Sequence, residues 1–185
     1  MRSLTNEELK SLQQAKAKRR MPVAILLEKI RSIHNVGAFF RTADCAGVEK
    51  VFLCGWTAAP PRQEITKVAL GAEEEVPWER IKDPVEAARK IKAEGYRLVA
   101  IEQTTKSRDL YRRRLPMPCC LVFGNEVTGI SEELLAECDE AVEVPMHGSK
   151  ESLNVSVCAG AVLFEVRRQY ENSKVADASS RSKNK

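Results

Sequence analysis

Short apolar runs alternate with amphipathic stretches along most of the chain. Val23 to Leu27, Lys50 to Cys54, Arg97 to Ile101, Cys119 to Phe123 and Ala141 to Val144 are four or five residues long, a length that suits strands buried on both faces. Helix signals lie between them. Thr5 and Glu8 have the capping-box spacing, opening a helix to about Arg20 that ends before Pro22. Asn35 stands as the cap of a helix reaching Ala46, with Gly47 as its stop. Arg62 to Leu70 reads as a short helix before Gly71, Pro84 opens one to Glu94, and Ser131 caps one to about Cys138. This alternation predicts an α/β fold, a parallel sheet with helices on both faces.

The segment EVPMHGSKESLNVSVCAGAVLFEV, Glu143 to Val166, joins a short strand, a polar loop and a helix. Ser152 and Asn154 occupy the place of an N-cap, so backbone N–H groups and the positive end of the helix dipole would face the loop. From Val155 to Phe164 nearly every residue is apolar or small, and a helix without a polar face must be covered on all sides. One domain has little material for that, so a second subunit is expected against part of the helix.

With 185 residues and 43% hydrophobic content the chain can bury one sizeable core. No apolar run approaches the roughly 20 residues of a membrane span, and the start MRSLTNEELK lacks a secretion-signal pattern, so a cytoplasmic protein is expected. The six cysteines (Cys45, Cys54, Cys119, Cys120, Cys138, Cys158) form no C-x-x-C pair and only two histidines accompany them, so they read as reduced packing residues and no metal is expected. Charge divides the chain into three parts: a basic N-terminal helix over 1–21, a central domain over 22–171, and a basic tail over 172–185 expected to be disordered. Residues 1–20 carry net +4 and residues 172–185 net +3, leaving the body at −3. Basic ends on such a body suit a polyanion, though charge alone speaks more for ordinary solvated termini. Lys16, Lys18, Arg19 and Arg20 are the candidate contacts near the N-terminus, and Arg112, Arg113 and Arg114 form a second basic run.

Ligands of open α/β sheets bind beyond the carboxyl ends of the strands. Three polar, glycine-bearing loops fall there: IRSIHNVGAFFRTAD, FGNEVTGIS and VPMHGSKESLN. None holds a phosphate-binding fingerprint or a G-x-S-x-G elbow, which argues against a nucleotide hydrolase, an ordinary nicotinamide enzyme or a serine hydrolase. What they hold is Asn35, Gly37 and Arg41 as N-x-G-x-x-x-R, Gly124, Glu126 and Gly129 as G-x-E-x-x-G, and S-L-N-V-S at 152–156. Taken singly, Asn35 reads as a cap, Gly37 as a packing glycine and Arg41 as a surface residue, and the other two motifs as ordinary loop and cap residues.

Together, in this order, the three motifs resemble the SpoU or TrmH branch of the SPOUT methyltransferases, over Val23 to Phe164. That resemblance implies transfer of a methyl group from S-adenosylmethionine to a ribose 2′-hydroxyl of tRNA or rRNA. It implies a C-terminal trefoil knot and a homodimer with the knots packed together. Phe123, Gly124, Asn125, Gly129, Val144, Met146, Ser152 and Leu153 would hold the cofactor. Arg41 would activate the ribose hydroxyl, Asn35 would fix that arginine, and Glu126, Ser152 and Asn154 would orient loops and ribose. A guanidinium stays protonated to above pH 12, so Arg41 needs proton exchange with a phosphate or else acts by orientation and electrostatics. Phe39 and Phe40 depart from the aliphatic pair frequent in the family, and Ala46 stands where a bulky residue is frequent. Two other readings are a non-catalytic knotted RNA-binding protein, against which the intact motifs speak, and a base-modifying relative, which S-L-N-V-S disfavours.

Overall fold

The structure, a computed structural model, describes residues 2–16 and 20–182. Its strands are β1 (Met21–Glu28), β2 (Val48–Cys54), β3 (Trp78–Ile81), β4 (Arg97–Ile101), β5 (Arg108–Asp109), β6 (Cys119–Phe123) and β7 (Glu140–Glu143). Its helices are α1 (Asn6–Lys16), α2 (Ile33–Ala46), α3 (Gln63–Ala69), α4 (Ala72–Glu75), α5 (Pro84–Ala93), α6 (Glu132–Glu137) and α7 (Val155–Ser182). All strand pairings are parallel, in the order β3-β2-β1-β6-β4-β7-β5.

Alternation along the central strands divides the core between the two faces. Val23, Ile25 and Leu27 join Phe39 and Phe40 of α2 and Val162 and Leu163 of α7, while Ala24 and Leu26 join Ala87 and Ile91 of α5 and Leu134 of α6. Cys119 packs on the first side and Cys120 on the second, as their adjacency in a strand requires. Helices thus cover both faces. Cys45 departs from the expected packing role, lying exposed on α2.

Pro22 does not delay the first strand. The register of β1 against β2 shifts between Met21 and Ala24, and that irregularity absorbs the missing N–H. β3 and β5 are additions to the expected elements. β3 is four residues with alternating exposure and β5 only two residues, so neither carries an apolar run.

Gly37 serves packing, since a Cβ there would lie 2.8 Å from both the Ile65 carbonyl oxygen and the Val68 Cβ, so it lets α2 approach α3. The cap of α2 is Ser32, whose Oγ accepts from the Asn35 N–H at 3.3 Å, so Asn35 stands inside the first turn. Asn154 caps α7, accepting at Oδ1 from Ser156 N–H at 2.9 Å and Val157 N–H at 3.3 Å, and Ser152 lies outside the helix. α7 runs to Ser182 rather than ending near residue 171, because neither Pro nor Gly interrupts 172–182, and residues 183–185 lie outside the described residues. Ala159, Val162, Leu163 and Val166 form its buried stripe, whereas Val157 and Phe164 remain 57% and 53% exposed. The all-round apolar helix is therefore covered on one side only within this chain.

Candidate functional site

β6, β4 and β7 are neighbours, and the loops leaving their carboxyl ends meet the start of α2. The loop after β6 closes tightly. Asn125 N–H donates to the Gly129 carbonyl at 3.0 Å and Gly129 N–H to the Asn125 carbonyl at 2.9 Å. The Asn125 side chain accepts from Val127 and Thr128 N–H and donates through Nδ2 to the Lys29 carbonyl at 2.7 Å, tying this loop to the end of β1. A Cβ on Gly124 would lie 2.2 Å from the Gly129 carbonyl carbon and 2.3 Å from the Ile130 nitrogen, so only glycine fits. Gly129, at φ 69, sits against the Glu102 carboxylate, which accepts from Ile130 N–H at 3.1 Å. Below this loop the buried Glu28 carboxylate accepts from Ser131 N–H at 2.9 Å and Ser131 Oγ at 2.7 Å, so the Ser131 hydroxyl does not cap α6.

Glu126 projects from this loop to the α2 terminus. Its carboxylate accepts from Arg31 N–H (2.8 Å), Ser32 N–H (3.0 Å) and Asn35 Nδ2 (2.8 Å). Partial burial draws its pKa upward, but those three bonds together hold the carboxyl below its ordinary range, so it is ionised at neutral pH. With its amide committed to Glu126, Asn35 presents Oδ1 to Asn154 Nδ2 and Ser156 Oγ, each at 3.3 Å. Residues from all three motif loops thus form one network. Sequence reasoning gives Ser156 no role although it ends the S-L-N-V-S motif.

Beside the network lies a cleft of about 320 Å³. Phe123, Gly124, Asn125, Gly129, Val144, Met146, Ser152 and Leu153, the eight residues expected to hold a cofactor, all line it, as do Glu126 and Asn154. Glu102 and Gln103 line it as well and were not anticipated; their position immediately after β4 was the available signal. Gln103 Nε2 donates to the Glu151 carbonyl at 2.6 Å, joining the loop after β4 to the chain after β7. Cys158 is at the cleft too, but burial, with Glu102 nearby, pushes its thiol up to about 11, so it stays protonated at neutral pH.

Arg41 is not brought to this wall. It sits on the exposed face of α2, makes no hydrogen bond or ion pair among the described residues, and receives nothing from Asn35, whose side chain is engaged by Glu126, Asn154 and Ser156. The basic candidates also divide. Arg20 is part of the scaffold, donating to the carbonyls of Val48 at 2.7 Å and Glu75 at 2.6 Å, and Arg113 pairs with Glu140 at 2.8 Å. Arg112, whose side chain is 88% exposed beside Asp109, and Arg114 face solvent. Lys18 and Arg19 lie outside the described residues, as does the side chain of Lys16.

Loops at the carboxyl ends of neighbouring parallel strands are where proteins of the open α/β class bind small molecules, and this cleft lies there. Residues 22–164 match the SpoU rRNA Methylase family, and the chain belongs to it. It is 38% identical over 156 residues to the 23S rRNA (guanosine-2′-O-)-methyltransferase RlmB of Neisseria meningitidis serogroup B, covering 83% of this chain and 62% of that protein. The chain thus spans about 62% of the length of that curated relative. Among solved structures, the A. aeolicus TrmH/SpoU tRNA modifying enzyme superposes with TM-score 0.78 at 28% identity, covering 91% of this chain and 85% of that one. An AdoMet bound rRNA methyltransferase from Sinorhizobium meliloti gives TM-score 0.73 at 31% identity, covering 79% and 56%. The expected α/β class, a parallel sheet with helices on both faces, is the fold of these neighbours.

Proposed function

We propose that this chain methylates a ribose 2′-hydroxyl of tRNA or rRNA with S-adenosylmethionine as donor, acting in the cytoplasm through a catalytic unit over 22–171. The observation that carries this reading is the convergence of three separate motif loops on one hydrogen-bonded network at the rim of the cleft. The names of the relatives point the same way. A network in which every member is bonded also disfavours the non-catalytic alternative, since a chain released from catalysis has no need to keep it.

The cleft suits the donor. Ile101, Val144, Met146 and Leu153 offer apolar side chains for an adenine ring, and the Glu102 and Glu126 carboxylates lie near enough to favour a cation. S-adenosylmethionine supplies a methyl group on a sulfonium, a leaving group that needs no metal. Glu126 holds the Arg31–Asn35 segment by its two backbone bonds, and Asn35 holds the α7 terminus in turn. Arg41 orients the target phosphate and ribose, either by its charge alone or by passing one guanidinium proton to that phosphate as it takes up the proton the hydroxyl loses. Exposed Arg112 and Arg114, with the basic termini, supply sequence-independent attraction to RNA. The Gln103 to Glu151 tie supports the threading of residues 144–154 past the β4 loop that a trefoil knot requires. In calorimetry with excess chelator, S-adenosylmethionine and S-adenosylhomocysteine should each bind; no heat and no thermal stabilisation with either would remove the cofactor assignment.

The same proposal includes a homodimer. Val157, Ala161 and Phe164 follow i, i+4, i+7 spacing on the uncovered side of α7 and make a second apolar stripe beside the cleft. Light scattering should give about twice the chain mass of 20.7 kDa, and Ala161→Glu should shift the protein toward the monomer and weaken methyl transfer. A monomer at micromolar concentration would leave the stripe without its proposed cover.

A further inference from the structure

The loop after β2 carries the most exposed tryptophan of the described residues, Trp56 at 61%. A large ring held in water needs a reason, and its mounting is rigid. Buried Thr57 accepts from Ile30 N–H at 3.0 Å and donates to the Leu27 carbonyl at 3.1 Å, and Gly55 N–H donates to the Lys82 carbonyl at 3.1 Å. Both sides of Trp56 are therefore fixed to the ends of β1 and β3.

Cations surround the ring. Lys29 Nζ lies 5.8 Å from its centroid, and Arg80 and Lys82 line, with Gly55 and Trp56, an open cleft of about 550 Å³. The side chains of Arg80 and Lys82 are exposed and make no hydrogen bond or ion pair among the described residues. Nearby carboxylates are occupied: Glu79 pairs with Lys50 and Lys90, and Asp83 caps α5. Lys29 keeps an ion pair with Glu28 at 3.4 Å, so the free charge belongs to Arg80 and Lys82. Lys29 is also one of two non-glycine residues at positive φ among the described residues, at 53°, and it links the two sites. Its N–H donates to the Cys54 carbonyl at 3.2 Å, its stem crosses Gly55, and its own carbonyl accepts from Asn125 at the cofactor cleft. The segment from Glu28 to Ser32 is thus a shared wall, with Glu126 bonded on one side and Trp56 standing on the other.

We infer that Trp56 is a stacking platform for an unpaired base of the RNA substrate, close to the nucleotide that is methylated, with Arg80 and Lys82 taking the flanking phosphates. An aromatic face beside unpaired cations is the pairing that single-stranded nucleic acid recognises, and base stacking tolerates any sequence while favouring purines. The proposal rests on the RNA-methyltransferase reading and adds an entry side, at the β2–β3 end of the sheet.

The chain has two tryptophans, so Trp78→Phe leaves Trp56 as the only one. Its fluorescence should be quenched by oligoadenylate and less by oligouridylate of the same length. Trp56→Ala should weaken oligoadenylate binding about ten- to a hundredfold while Trp56→Phe retains most of it, with S-adenosylmethionine affinity and melting temperature unchanged. Arg80→Ala and Lys82→Ala should each lower the salt slope by about 0.7, as loss of one phosphate contact requires. Wild-type RNA affinity in Trp56→Ala, with methylation of total RNA intact, would overturn the platform and leave the methyltransferase reading standing. Absence of RNA binding and methylation in the unaltered protein would overturn both. A halved particle mass in Trp56→Ala with RNA affinity intact would make the ring a subunit contact and overturn the proposal.

Discussion

Arg41→Ala should lower methyl transfer at least about 10²-fold while S-adenosylmethionine affinity stays near that of the unaltered protein, the size of effect when one positioned proton-transfer or electrostatic group is lost. The structure makes this a clean experiment. Arg41 is exposed, bonds to nothing among the described residues and does not line the cleft, so its removal opens no cavity and breaks no internal pair. Any lost activity then belongs to the reaction or to RNA placement. Arg41→Lys should be a poor replacement, because an ammonium cannot reproduce the planar fork that grips phosphate at two points. Single-turnover kinetics with calorimetry on the same variants separates the two quantities. RNA carrying 2′-deoxyribose at the target nucleotide should accept no methyl group, and the product from ordinary RNA should resist alkaline cleavage there. Methyl transfer to the deoxy substrate would move the target to the base.

The second large effect is expected at Gly124. An alanine Cβ would stand 2.2 Å from the Gly129 carbonyl carbon, and the obstacle is backbone held by the paired Asn125 and Gly129 bonds. The loop must open, so Gly124→Ala should lose roughly 1–3 kcal/mol of stability and bind S-adenosylmethionine at least about tenfold more weakly. Gly148→Ala is the control, since nothing lies within 4 Å of a Cβ there. Equal cofactor affinity in the two variants would show that the Gly124 loop is not a wall of the binding site.

Much of this molecule is legible in its sequence because its signals are local. β4 and β6 occupy the expected bounds, and Gly47 and Pro84 mark helix ends through one residue each. The cleft is legible for a different reason: its three motifs all follow strands of one parallel sheet, so they lie along the same edge of it. Where reading falls short, the interaction crosses the chain. Ser32 rather than Asn35 caps α2, and Asn35 instead donates its side-chain amide to Glu126, 91 residues away. Arg20 looks like part of a basic end, yet its guanidinium meets carbonyls of Val48 and Glu75. Glu28 and Glu102 sit at strand ends as plain carboxylates, and only the fold shows that both hold the far end of the Gly124 loop, at Ser131 and Ile130. α7 exceeds its expected length because nothing in 172–182 forbids helix.

The place of β1 in the sheet has a meaning in time. Its partner on one side, β6, pairs Val23 with Cys119, so during synthesis one edge of this buried strand waits for 96 further residues. At ribosomal speed that delay is roughly 5–20 s. The Asn35 to Asn154 contact comes later still, 119 residues after its first member. The hydrogen-bonded network at the cleft thus forms only after the start of α7 has been made, and a ribosome that stalls before α7 leaves all seven strands of the sheet without it.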